Sequence, residues 1–124
     1  MFMKINKLPI IRVLAMPKHL GPSGTIFGGW LISKMDLAGG IFAWNTSKGK
    51  ITTVNCSNIN FYKPVLVADV VSYYAKIIEI NKSSIKIKVN TEIYRTTTNK
   101  YIDVLDGVFT YVAIDKYGKP REII

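Results

Sequence analysis

The spacing of apolar and polar residues changes once along this chain, near Lys50, and divides it into a helical part and a β-rich part. Upstream, Ile26 to Asn45 (IFGGWLISKMDLAGGIFAWN) is apolar on nearly all sides, with Lys34 and Asp36 its only charged residues. A helix that is apolar all round has to be buried on several faces. Pro22, Ser23, Gly24 and Thr25 signal its start, where either hydroxyl can cap the first turn, and Asn45 to Gly49 signals its end. Downstream come long runs rich in Val, Ile, Thr and Tyr, interrupted at Lys63-Pro64, Asn81-Lys82 and Thr97-Asn99, which read as antiparallel strands joined by hairpins. Within Ser84 to Tyr94, Ile85, Ile87, Val89, Thr91 and Ile93 alternate with Lys86, Lys88, Asn90 and Glu92, so that one face meets core and the other meets water. With a short opening strand near Ile10 to Leu14, the expected order is β-α-β-β-β-β. The simplest packing of these parts is an α+β fold, a curved antiparallel sheet wrapped round one long helix.

At 124 residues without repeats or a shift in composition, residues 1–124 read as one domain. A domain of this size has little room to enclose a large substrate, which places a pocket between subunits. Seventeen basic against eight acidic residues give a net charge of +9 and favour anionic partners. The cations are dispersed, with no run of like charge, so nucleic acid is the weaker reading. Cys56 is the only cysteine, which excludes an internal disulfide and a CxxC site and points to a reducing compartment. The N-terminal MFMKINKLPII is too short in its uncharged run for a secretory signal, and no segment has the length of a transmembrane helix. The expectation is a cytoplasmic protein that does not bind membranes. A lone His19, a lone Cys56 and scattered carboxylates offer no metal-ligand cluster.

Asp36 is the residue that asks for an explanation, since a lone carboxylate in an apolar helix is costly unless paired or opened to a cavity. Gly28-Gly29 lie two turns before it and Gly39-Gly40 one turn after, all weak helix formers, and suggest that something packs close to the backbone. Two readings stand side by side. In one, Asp36 pairs with a lysine and the glycines serve packing. In the other, amides near Gly28 at the positive end of the helix polarise a carbonyl while Asp36 supplies a base or nucleophile.

The run GTIFGGWLISKMDLAGG, from Gly24 to Gly40, resembles the signature of the hot-dog acyl-CoA thioesterases of the bacterial YciA type. The likeness continues through Asn60-Phe61-Tyr62-Lys63-Pro64, Ala68 to Val71, Phe109 to Ala113 and Gly118-Lys119-Pro120-Arg121, covering the chain from about Arg12 onward. It implies an acyl-CoA thioester hydrolase that uses no cofactor beyond the CoA of its substrate and product. Asp36 activates water or attacks the acyl carbonyl, and the oxyanion rests on amides near Gly28 and Gly29. It further implies a homo-oligomer, a dimer at least and a hexamer built as a trimer of dimers, in which Asp36 faces the helix start or Ser23 loop of a neighbour. Ser23 stands where the family usually has asparagine, and Ser57 where a carboxylate often stands, so slower turnover is expected. Ser23 is either a helix cap or a contact to the reacting group. Arg12, Lys63, Lys119 and Arg121 are the candidates for the CoA phosphates, and the tail 115–124 for contact with CoA or a neighbouring subunit. Phe61 and Trp30 are candidates to line the acyl or pantetheine channel. The alternative functions are an acyl-CoA sensor that has lost turnover and, on the same fold, a dehydratase or isomerase, which would depend on His19. A Ser23-His19 hydrolase triad is the least favoured reading.

Overall fold

A computed structural model of the chain describes residues 8–123. Strand β1 (Ile11–Leu14) leads through a 3-10 turn (Pro17–His19) to helix α1 (Gly28–Ser47), followed by β2 (Ile51–Phe61), β3 (Val70–Ile80), β4 (Ser84–Arg95) and β5 (Lys100–Ala113). The expected element order holds. The strands form one antiparallel sheet in the order β1-β3-β4-β5-β2, with α1 packed across it. Asn81-Lys82 and Thr97-Asn99 are hairpin turns, and Asn99 takes the positive φ that closes the second. Lys63-Pro64 is not a hairpin, which corrects the reading from sequence. β2 pairs only with β5 and β3 only with β1 and β4, so residues 62–69 carry the chain from one side of the sheet to the other.

The core lies between one helix face and the concave side of the sheet. Leu31, Met35, Ala38 and Ala43 of α1 are buried against Tyr73, Ile87, Val89, Phe109 and Tyr111, among others. The alternation expected in β4 holds from Ile85 to Thr91. In burial it fails at Glu92, which was expected to face water and is buried, where it accepts a hydrogen bond from Tyr74 (3.4 Å) beside a register shift in the ladder to β5. The extra residue of that shift is Val104 of β5, where Val104 and Leu105 are buried in succession, so β4 keeps its alternation of faces and Glu92 is buried on the face opposite Thr91 and Ile93.

Helix α1 begins later than its apolar pattern suggested, and no side chain caps it. Ser23 Oγ instead meets Thr25 Oγ1 at 3.3 Å, so the expected hydroxyl cap is absent. The helix ends as expected, with Lys48 in the left-handed conformation and Gly49 N–H donating to the Trp44 carbonyl. Its second apolar stripe, Leu37, Ile41 and Trp44 at 50%, 40% and 49% exposure, is uncovered within this one chain. The tail folds back on its own chain, where Ile114 bridges Pro120 and Ile123 N–H donates to the Lys82 carbonyl. Among the described residues no helix is long and apolar enough to cross a membrane. The N-terminal residues 1–7, on which the expectation about a signal segment falls, lie outside the described residues.

Candidate active site

Asp36 sits mid-helix, half buried, on the face turned toward β2 and β5. Its Oδ1 accepts two hydrogen bonds, from Thr53 Oγ1 (2.8 Å) and from the Tyr111 hydroxyl (3.1 Å). Its Oδ2 accepts none from the described residues, and no lysine among them pairs with it. Asp36 and Thr53 line a cleft of about 490 Å³ whose other walls are largely apolar, including Leu37, Ile41, Trp44 and Ile51. A bulge in β2 shapes this site, because Thr53 pairs with Tyr111 and Asn55 with Thr110, leaving Val54 as the extra residue. The bulge puts both Thr53 and Cys56 on the side of the sheet that faces Asp36. Partial burial first, and then the charge of Asp36, push the Cys56 thiol above its ordinary pKa.

The start of α1 forms a second, separate cleft. Trp30 and Leu31 N–H donate to the Phe27 carbonyl, whereas the amides of Gly28 and Gly29 donate to no described residue. Two free donors therefore point from the positive end of a 20-residue helix. Gly28 lines a cleft of about 700 Å³ together with Ser23, Phe61, Lys63 and Pro64. The Phe61 ring covers Gly28 so closely that a Cβ there would stand 3.3 Å from it. The outer wall of this cleft, Tyr62 to Val65, is held by an ion pair between a half-buried arginine and a buried aspartate. Arg95 binds Asp69 bidentately (Nε to Oδ1 3.0 Å, Nη2 to Oδ2 2.8 Å) and also reaches the Pro64 carbonyl (3.3 Å), while Asp69 accepts from Leu66 N–H (2.8 Å).

The residues singled out from sequence thus fall into groups. Ser23, Gly28, Phe61 and Lys63 share the larger cleft, Asp36 lines the other, and Gly29 is exposed beside the helix start. Arg12 lies elsewhere, in a small cleft on β1, β3, β4 and β5, and donates to Ser72 Oγ (2.8 Å). Lys119 is exposed in the tail turn. Arg121, expected to meet phosphate, is committed within the chain: Nε donates to the Ile114 carbonyl (2.9 Å), Nη1 to the Ser47 carbonyl (3.0 Å) and Nη2 to Ser47 Oγ and the Lys50 carbonyl (3.2 Å each). A cation seated on the last carbonyls of α1 complements the negative end of the helix, which is the physical reason it turns inward. Trp30, expected in the channel, lines neither cleft and stacks on His19, with 3.9 Å between ring centres. His19 Nδ1 accepts from Met16 N–H (3.1 Å) and Ser23 Oγ is turned to Thr25, so the two form no triad contact. Among the described residues no group of three His, Cys, Asp or Glu is placed to hold a metal. Sequence reasoning missed Thr53, Tyr111 and the Asp69–Arg95 pair. The glycine pair at 39-40 was the one signal that something approached the helix near Asp36.

Comparison with known proteins bears on this geometry. Residues 23–99 match the Thioesterase superfamily. The chain is 45% identical to the uncharacterized acyl-CoA thioester hydrolase BU274 of Buchnera aphidicola, over 96% of this chain and 93% of that one. It is 35% identical to the acyl-CoA thioester hydrolase YciA of Escherichia coli, over 92% and 89%. Among solved structures it superposes on HI0827, a hexameric broad-specificity acyl-coenzyme A thioesterase solved as an aspartate-to-alanine mutant, with a TM-score of 0.91, 38% identity and coverage of 94% and 86%. An acyl-CoA hydrolase from Staphylococcus aureus, solved with butyryl coenzyme A and coenzyme A, follows at a TM-score of 0.83, 26% identity and coverage of 90% and 68%. Alanine mutants of an aspartate and of a threonine in that protein have also been solved, and the two positions are separated by the same number of residues as Asp36 and Thr53. A helix carrying a half-buried aspartate across a curved five-stranded sheet, and a match of this extent, lead to one assignment: the chain belongs to the thioesterase superfamily, among the hot-dog acyl-CoA thioester hydrolases of the YciA type.

Proposed function

We propose that the protein hydrolyses acyl-CoA thioesters at a site shared by two subunits, with Asp36 of one acting on a carbonyl held at the helix start of the other. One observation carries this reading. The free carboxylate oxygen and the free amides lie in different clefts of the same chain, separated by eight residues of helix, or about 12 Å along its axis. A carbonyl held by the amides at hydrogen-bond distance cannot also lie within reach of its own chain's Asp36. A two-fold partner brings one cleft to the other. The uncovered stripe Leu37, Ile41 and Trp44 and the free edge of β2 flank Asp36 and supply the apolar area and backbone groups such a partner would cover. The hexameric state of the related HI0827 supports a trimer of dimers.

In this site the Gly28 and Gly29 amides of one subunit receive the thioester oxygen, and the negative charge that develops there is stabilised by the helix end. Asp36 of the other subunit either takes a proton from water as it adds to the carbonyl carbon, or attacks that carbon itself and is released by water. Both routes break the C–S bond, expel CoA as thiolate that takes up the proton, and leave the carboxylic acid. The thiolate is a good leaving group, so no metal, cofactor or strong acid is required. Thr53 serves the same carboxylate, a reading supported by the matching spacing in the Staphylococcus enzyme. Phe61 forms the apolar wall of the channel, and Lys63 on its rim, with Arg12 and Lys119, offers charge to the CoA phosphates in a chain of net charge +9. The setting is cytoplasmic.

Purified protein presented with acyl-CoAs of graded chain length and a thiol-reactive reporter tests this. The expected result is release of free thiol by the wild type and near-complete loss in Asp36→Ala. Retained activity in that variant overturns the mechanism, and CoA binding without thiol release by the wild type replaces the hydrolase with an acyl-CoA sensor.

A further inference from the structure

We infer that Tyr111 is a positioning residue for this reaction, its hydroxyl pinning Asp36 Oδ1 so that Oδ2 is the oxygen presented to the substrate. The inference rests on the function proposed above and adds a residue to it. Tyr111 rises from β5 beneath α1 with its ring buried, and its hydroxyl stands 2.9 Å from the Asp36 carbonyl and 3.1 Å from Oδ1. Of the two acceptors, the carboxylate oxygen is the charged and therefore stronger one. Thr53 reaches the same oxygen from β2, so two donors from two strands hold one side of the carboxylate and fix its plane. The other side, Oδ2, is left without a described donor on the cleft that Asp36 lines. A carboxylate free to rotate would exchange its two oxygens, whereas this one cannot do so without losing both bonds.

The helix is built to admit the hydroxyl. A Cβ at Gly39 would collide with the Tyr111 hydroxyl oxygen and stand 3.1 Å from Cζ, so the glycine, disfavoured inside a helix, is needed at that position for Tyr111 to approach. Burial first, and then the negative charge of Asp36, push the Tyr111 hydroxyl far above the ordinary tyrosine range, so it stays a donor while Asp36 is ionised.

Steady-state kinetics of Tyr111→Phe, Gly39→Ala and Asp36→Asn, with melting and assembly size measured for each, test the assignment. Tyr111→Phe keeps the ring and its packing. It is expected to lower kcat by about 10- to 100-fold, the range for one hydrogen bond to a charged group, with KM little changed. Gly39→Ala retains the hydroxyl but displaces it, and is expected to lower kcat in the same manner. This second variant carries the test if Tyr111→Phe does not assemble. Wild-type kcat in an assembled Tyr111→Phe, or a rise in KM alone, overturns the positioning role. An inactive Asp36→Asn beside a fully active Tyr111→Phe overturns that role only, whereas an active Asp36→Asn overturns the function on which it rests.

Discussion

Thr53, on the edge strand β2, donates to Asp36 Oδ1 in the middle of α1 across 2.8 Å, and this bond joins an exposed strand to the one carboxylate of an otherwise apolar helix. Because the bulge at Val54 sets the direction of Thr53, the contact depends on β2 keeping its register against β5. Thr53→Val removes the donor at constant shape. Its expected effect is a fall in kcat of about 10-fold, with near-wild-type rates in Thr53→Ser, measured on a single acyl-CoA at saturation.

A site shared between subunits makes a prediction about mixtures. Chains carrying Asp36→Asn and chains carrying Gly28→Val, which blocks the helix start, should each be inactive alone. Unfolded and reassembled together, they should recover roughly a quarter of wild-type turnover, since half the pairs are mixed and one of the two sites in a mixed pair is intact. No recovery in a properly assembled mixture would place both groups in one chain.

Ser23 lies on the larger cleft, and its hydroxyl is spent on Thr25 at 3.3 Å. An asparagine at this position reaches further and carries both donor and acceptor. Ser23→Asn should therefore turn over acyl-CoA at an equal or higher rate. A clear loss would show that the serine hydroxyl itself makes a contact the reaction needs.

The Cys56 thiol reports on the charge of Asp36. Its pKa is raised first by burial and then by the nearby carboxylate, so the thiolate forms at higher pH than in an ordinary cysteine. Replacing Asp36 with asparagine removes the second cause and leaves the first. The thiolate ultraviolet absorbance of the folded protein should then appear at lower pH than in the wild type, but still above that of a free cysteine. An unchanged titration would mean that the two side chains do not sense one another.

Arg95 and Asp69 tie the wall of the larger cleft to the end of β4, with Asp69 buried and the pair bidentate. Taking away one member leaves a buried charge without its partner. Arg95→Met should cost about 3 kcal/mol, visible as a lower denaturant midpoint at unchanged slope. A midpoint equal to wild type would remove the pair from any structural role.

The arrangement of helix and strands was legible from residue order because each element reports its own burial. Ile85 to Thr91 alternates since a strand turns successive side chains to opposite faces, and the unbroken apolar run around Asp36 marks a helix with more than one face to cover. Asp36 itself stood out by cost, as a charge where none is cheap. Residue order did not show what holds it. Tyr111 lies 75 positions away, Thr53 is aimed by a bulge that no local pattern announces, and the exposure of Leu37, Ile41 and Trp44 is a property of how far one chain can cover its own helix. Arg121 was misplaced for the same reason, since the carbonyls that capture it belong to the far end of α1 and to the strand ends beside it. Periodicity along the chain determined the fold of this protein. Contacts between residues distant in sequence decided which oxygen of Asp36 is held and which is free.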